Sequence, residues 1–297
     1  MSTRRNCLRS MAEQRGAYGS VKDHVTLANG HAVHYVSHGP AAAPNTLLLL
    51  HGAPGSHRDF KYLAPLLVSD SINLIALDLP GNGLTSADTA GGWNLDNTTF
   101  VAAVVEALAL LVRKRPQARN FLLGHSTGGH TAIQAAALAA AGVVHGVILL
   151  NSAGFRAHNT QRPYERLQSV AKMIAESPTG RQEVIGQLRP VLKETGFPPS
   201  ILDDEIAFSV LRTGTLDHRV IRDCVNELLD RKVPFFVASA ADDLIVEKDI
   251  CNELVAVISP QVHLFFDTGG HNIQKSRAQE LATALQTWIA SQQPSRL

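Results

Sequence analysis

Gly124-His125-Ser126-Thr127-Gly128 sets a serine between two glycines at a spacing that suits a nucleophile. The five residues follow the apolar run Asn120-Phe121-Leu122-Leu123 and open an alanine-rich, helix-like stretch, His130 to Ala141. Strand, sharp turn and helix, in that order, lift a serine hydroxyl to the tip of a tight elbow. The turn needs small residues two places before and after the serine. Gly124 and Gly128 occupy those places, and Gly129 adds slack.

A serine hydroxyl is a poor nucleophile at neutral pH and needs a general base, itself oriented by a carboxylate. In an elbow-type sheet the chain order is serine, acid, histidine. Two later strand ends supply the partners. Asp242-Asp243-Leu244-Ile245-Val246 follows the apolar run Phe235 to Ala241, and Asp267-Thr268-Gly269-Gly270-His271 follows Val262 to Phe266. His271 is the best base among the 13 histidines, because Gly269-Gly270 lets its loop approach the elbow closely. His125 and His130 flank Ser126 along its own backbone and are expected to line or underlie the site rather than serve as the base. Asp243 is the favoured acid, since it falls where the strand from Pro234 should end and the turn begin. Asp242 is the alternative, which a strand-end bulge would select.

Acyl transfer also needs two convergent N–H groups to hold an oxyanion. Thr127, directly after the nucleophile, supplies one. The other is expected from His51-Gly52-Ala53-Pro54-Gly55, the loop after the run Thr46 to Leu50. Ala53 is the candidate donor because Pro54 has no N–H, and Gly52 lets the loop approach.

These residues must be held by a sheet. Lys22 to Ala28 and Ala32 to Ser37 read as strands joined by an Asn29-Gly30 hairpin turn. Thr46 to Leu50 and Asn73 to Leu79 are continuous apolar runs, as expected of strands buried on both faces. Asp59 to Val68 and Thr98 to Arg115 read as helices, the second stopped by Pro116. A strand Val147 to Asn151 follows the elbow helix. Strand Pro234 to Ala238, helix Lys248 to Ile258, strand Gln261 to Asp267 and helix Lys275 to Ser291 complete the alternation. The pattern predicts an α/β fold, a mostly parallel sheet covered by helices on both faces, with ligands at the carboxyl ends of the strands. His51, Asp78, Ser126 and Asn151 all fall at such ends. Between Phe155 and Arg231 the segments are helical, with charged faces, and are punctuated by Pro163, Pro178, Pro190, Pro198 and Pro199. The expected organisation is a core of 21–154 and 232–297, an inserted helical cap of 155–231, and a disordered basic tail of 1–20.

Bulk properties narrow the function. With 27 Lys+Arg against 26 Asp+Glu the net charge is +1, so no field recruits nucleic acid or an anionic membrane. The apolar runs fall short of the ~18 residues of a membrane span. The three cysteines, Cys7, Cys224 and Cys251, are scattered and suggest neither a zinc site nor a disulfide framework. The expected setting is the cytoplasm; arginines at 4, 5, 9 and 15 leave a mitochondrial presequence as the alternative. Asn97-Thr98-Thr99 matches a glycosylation acceptor but has no secretory signal before it.

Taken together, His51-Gly52-Ala53-Pro54-Gly55, Asp78-Leu79-Pro80-Gly81-Asn82-Gly83, the elbow at Ser126, Asp243-Leu244-Ile245-Val246 and Gly269-Gly270-His271 resemble the α/β-hydrolase superfamily. The resemblance covers about residues 22 to 292. It implies an eight-stranded sheet with the second strand antiparallel, a helical cap after the sixth strand, and no cofactor or metal. Gly55-Ser56-His57-Arg58-Asp59-Phe60-Lys61-Tyr62, with Asp243 to Glu247, is similar to an uncharacterised, mostly nematode group within it. Epoxide hydrolases and haloalkane dehalogenases carry aspartate at the elbow, where this chain has Ser126. Proline iminopeptidases read HGGPG with a tryptophan after the serine, where this chain has Ala53 and Thr127. The implied activity is hydrolysis of a small ester, thioester or lactone. The alternatives are C–C bond cleavage or acyl transfer by the same residues, or slow-turnover ligand binding. Arg58, Arg156, Arg162 and Tyr164 are further candidates for contacting polar substrate groups.

Overall fold

The computed structural model describes residues 19–194 and 200–292. Most of the expected basic tail, and Cys7 with it, lies outside the described residues. The eight strands are β1 (Ser20–Thr26), β2 (Ala32–His38), β3 (Asn45–Leu50), β4 (Ile72–Leu77), β5 (Arg119–His125), β6 (Val144–Leu150), β7 (Phe235–Ala240) and β8 (Val262–Phe266). They form one sheet in the order β1-β2-β4-β3-β5-β6-β7-β8. β2 runs antiparallel to both neighbours and the later pairings are parallel. The hairpin turns at Gly30, whose φ of 84° suits only glycine without strain.

Alternation along the central strands divides the core into two layers. In β3, Leu48 and Leu50 face one side and Leu47 and Leu49 the other, all at most 1% exposed. The first layer packs against the helices Asn97–Arg113, Thr127–Leu138 and Lys248–Ile258; the second packs against Ala64–Leu67 and Ala278–Ser291. Removing one such leucine to alanine costs about 2–5 kcal/mol in comparable cores. Edge strand β8 alternates half-buried with exposed residues, as a strand open on one side should.

Several boundaries differ from expectation. The helix expected over Asp59 to Val68 is a 3₁₀ turn, His57–Phe60, followed by the short helix Ala64–Leu67. Ser56 and Asp59 cap the turn reciprocally, and Pro65 has no N–H to continue a longer helix. The elbow helix begins at Thr127, immediately after the nucleophile candidate, and not at His130. The C-terminal helix breaks at Arg277 into Ile273–Ser276 and Ala278–Ser291. Thr99 of the glycosylation-like triplet is occupied in a capping box with Asp96.

After β6 the chain forms the helices Tyr164–Glu176, Pro178–Glu194 and Asp203–Gly214, which pack on one another. Pro178 opens one of them, while Pro190 lies inside it. The next helix, His218–Asp230, packs along the elbow helix. No helix among the described residues is long and apolar enough to cross a membrane.

Candidate active site

β3 and β5 are neighbours at the centre of the sheet, and the crossing direction reverses between them: β4 lies on one side of β3 and β5 on the other. Their following loops diverge to leave a crevice at the carboxyl edge. Ser126 stands at the end of β5 with φ 55° and ψ −128°, a backbone that a residue with a side chain adopts only under strain. The strain is held by hydrogen bonds. The Ser126 N–H donates to the Leu150 carbonyl, and its own carbonyl accepts from Gly129 and Ala153. The flanking glycines are sterically required. A β-carbon at 124 would lie 2.3 Å from the Gly128 carbonyl oxygen, and one at 128 would lie 2.3 Å from that of Leu50. Gly129 is more than slack: a β-carbon there would lie 1.9 Å from Ser152 Oγ.

The loop after β3 passes directly over the serine. A β-carbon at Gly52 would sit 3.1 Å from Ser126 Cβ and 3.5 Å from its Oγ. His51, fully buried, fixes this loop. Its Nε2 accepts from the Leu79 N–H at 3.0 Å, so Nδ1 carries the proton and donates to the Gly52 carbonyl at 2.7 Å. Burial lowers its pKa to about 4. Asp78 braces the same loop, accepting from the His57 N–H, from His57 Nδ1 and from the Leu84 N–H at 2.8–3.0 Å. Burial raises its pKa, but the His57 hydrogen bonds outweigh that and hold the carboxyl below its usual range.

His271 Nδ1 lies 2.8 Å from Asp243 Oδ2, with the carboxylate side chain only 1% exposed. The other oxygen of Asp243 accepts the N–H groups of Ile245 and Val246. Its neighbour Asp242 points elsewhere, its Oδ1 accepting from Gly269 and Gly270 at 2.8 and 2.7 Å. The two adjacent aspartates therefore divide the work: one meets the imidazole and the other caps the loop that carries it. The loop is also held from behind. Asn151 Nδ2 donates to the carbonyls of Gly270 and His271, while its Oδ1 accepts from the Ala240 N–H of β7. His125 Nε2 is 2.9 Å from the His271 carbonyl, and the two rings are 4.9 Å apart. Burial takes the pKa of His125 down to about 3, so it underlies the site as a neutral donor.

Arg212 has no counterpart among the candidates read from sequence. It projects from the helix Asp203–Gly214 and is 5% exposed. Its Nη1 reaches the Gly52 carbonyl at 3.5 Å, and its Nη2 reaches the Thr127 carbonyl at 3.2 Å and Thr131 Oγ1 at 2.8 Å. The guanidinium lies over the Phe100 ring, 4.4 Å from its centre. Burial pulls its pKa down to about 9. A trans peptide points its C=O and N–H in opposite directions. Arg212 and His51 on the Gly52 carbonyl therefore turn the Ala53 N–H to the other side. The sequence signal for Arg212 is its place at the end of a mostly apolar segment, Ile206 to Leu211, broken only by Ser209. Of the other polar candidates, Arg156 pairs with Glu253, Arg162 with Glu247, and Tyr164 donates to the Thr213 carbonyl. Among the described residues no cluster of His, Cys, Asp or Glu could hold a metal ion.

Sheet order, the antiparallel second strand and a strained serine between strand and helix define the α/β-hydrolase fold. The chain belongs to the family described as alpha/beta hydrolase of unknown function (DUF1057), whose model matches residues 22–292. It is 29% identical over 117 residues to an uncharacterised protein of Caenorhabditis elegans, covering 38% of this chain and 32% of that one. It is 32% identical over 102 residues to a serine hydrolase-like protein of Dictyostelium discoideum, covering 34% of this chain and 27% of that one. The matches thus span about a third or less of these relatives' lengths. An esterase from Exiguobacterium antarcticum superposes with a TM-score of 0.67 over 91% of this chain and 100% of that one, at 15% identity.

Proposed function

We propose that the protein hydrolyses small carboxylic esters, thioesters or lactones through Ser126, His271 and Asp243. The observation that carries this is the 2.8 Å contact of His271 Nδ1 with a buried Asp243 oxygen, in the loop layer that also holds the strained Ser126. With Nδ1–H committed to the carboxylate, Nε2 is the nitrogen free to take a proton. Ser126 Oγ attacks the carbonyl carbon and passes its proton to His271. The resulting oxyanion is held by the N–H groups of Ala53 and Thr127. Collapse breaks the bond to the leaving alcohol or thiol, which takes the proton from His271. Water then attacks the acyl-enzyme, giving its proton to the same imidazole; collapse breaks the bond to Ser126 Oγ, which takes that proton back from His271 as the acid leaves. The steps use only groups of the chain and water. Residues 155–231 act as the cap that sets substrate size, and Arg212 is the positioning residue linking that cap to the Ala53 peptide.

Labelling with a fluorophosphonate, with the modified residue located by mass spectrometry, tests this. Label on Ser126, absent in Ser126→Ala, is expected, together with loss of several orders of magnitude in kcat in the variant. Turnover surviving that substitution with less than tenfold loss sinks the assignment.

A further inference from the structure

Six buried side-chain atoms near the elbow have no hydrogen-bond partner among the described residues: Thr127 Oγ1, His130 Nδ1, His158 Nε2, Gln161 Oε1, Ser209 Oγ and His218 Nε2. Thr127, His130, His158, Gln161 and Ser209 are each more than nine-tenths buried. Folded proteins leave few such groups unbonded, because each has given up its water. These six come from the elbow helix, the segment after β6, and the two helices Asp203–Gly214 and His218–Asp230. They converge. The His130 and His218 rings are 5.8 Å apart, edge to face. Ser209 lies one turn before Arg212, on the face that meets Thr127 and Thr131. His158 is close enough to His271, Asp243 and His218 to feel their charges.

We propose that the region where the elbow helix meets the overlying helices receives an uncharged part of the substrate that carries hydroxyl or carbonyl groups. This rests on the hydrolase reading above and names its substrate class. An alkyl chain placed there would leave the free nitrogens of His130, His158 and His218 unbonded. Among the described residues the cationic groups beside the elbow are engaged: Arg212 is committed to two carbonyls and a hydroxyl, and His130 Nε2 is already bonded to the Gly154 carbonyl at 2.7 Å. Burial, the main cause in each case, lowers the pKa of His130 to about 3 and of His158 to about 4, and also lowers that of His218. At neutral pH the three imidazoles are therefore neutral. A neutral imidazole, a hydroxyl and an amide oxygen are the partners a hydroxyl or keto group can use, as donor or acceptor.

The test is a pH-stat comparison of matched esters. Methyl 3-hydroxybutanoate is set against methyl butanoate, 2,3-dihydroxypropyl butanoate against propyl butanoate, and methyl hydrogen succinate is the charged control. The hydroxylated member of at least one pair should lead in kcat/KM by about tenfold or more, as in sites built to bond a substrate hydroxyl. Ser209→Ala and His158→Phe should each shrink that ratio at least threefold. Equal or faster turnover of the plain ester in both pairs, a lead for the succinate, or a ratio unmoved in both variants overturns the proposal. Stabilisation against thermal unfolding by 3-hydroxybutanamide over butanamide reads the same preference without turnover. An inert Ser126 would thus sink the hydrolase reading and leave this one still decided.

Discussion

Replacing Arg212 separates a positioning role from simple packing. The methionine variant keeps an unbranched stem of similar reach over Phe100 and deletes the donors to the Gly52 carbonyl, the Thr127 carbonyl and Thr131 Oγ1. Two opposed terms set its stability effect. Hydrogen bonds from a charged donor contribute about 1.5–3 kcal/mol each. A buried cation beside neutral acceptors also costs several kcal/mol to desolvate, and that cost disappears with the charge. The balance should leave the fold within about 2 kcal/mol of wild type. Catalysis should suffer more. Loss of an oxyanion donor outright costs about 10²–10³ in kcat. In the proposed mechanism Arg212 acts one bond removed, by holding and polarising the peptide that carries the Ala53 N–H, so the expected loss is about 10- to 100-fold, or roughly 1.4–2.7 kcal/mol. It should fall on kcat with KM within about threefold, since the oxyanion exists only in the transition state. Arg212→Lys should recover only part of the loss, because its shorter, single ammonium keeps the charge but lacks the planar fork whose two nitrogens meet the two carbonyls. Initial rates on a chromogenic acetate ester, beside urea unfolding of each variant, supply the numbers. Unchanged kcat with lowered stability in Arg212→Met would refute the positioning role and leave Arg212 a structural tie.

Asp243→Asn should lower kcat by about 10³–10⁴ with little change in stability, whereas Asp242→Ala should mainly lower stability, by about 1–3 kcal/mol, through two uncapped N–H groups; equal kinetic effects would contradict the division of work between them. Gly129→Ala should destabilise by about 1–3 kcal/mol, the new methyl meeting Ser152 Oγ at 1.9 Å, and Ser152→Gly in the same chain should restore most of it, as read from thermal midpoints. Stability should fall with acid well before the carboxylates titrate. His51, His125, His130 and His158 have pKa values lowered by burial to about 4, 3, 3 and 4, against ~6.5 in the unfolded chain. Between about pH 6.5 and 4 the unfolded state therefore binds more protons, and stability is lost as pH falls through that window and is level above it. At pH 5.5 each histidine should account for on the order of 1 kcal/mol. Urea midpoints that stay constant from pH 7.5 to 5 would contradict this.

Local patterns in the sequence were enough for the sheet and the elbow. Continuous apolar runs mark β3 to β7 because those strands are buried on both faces, and Asn29-Gly30 marks the hairpin because a tight turn needs positive φ. Gly124 and Gly128 announce the elbow because no β-carbon fits where β3, β5 and the helix meet. Helix ends were less legible. Whether Asp59 to Val68 or Lys275 to Ser291 runs unbroken depends on caps and on Pro65, which weigh little in a periodicity. The choice between Asp242 and Asp243 could be narrowed but not closed by counting along a strand, since a single bulge reverses it; the fold turns Asp243 to His271 and Asp242 to the loop N–H groups. Tertiary structure alone decided three things: that Gly129 yields to Ser152, that Asn151 ties the His271 loop to β7, and that Arg212 reaches back across 160 residues to Gly52. Each is a contact between segments distant in the chain. Sequence records a residue's type and its local spacing, whereas the partner of a buried polar group is set by which remote backbone group the packing leaves within reach.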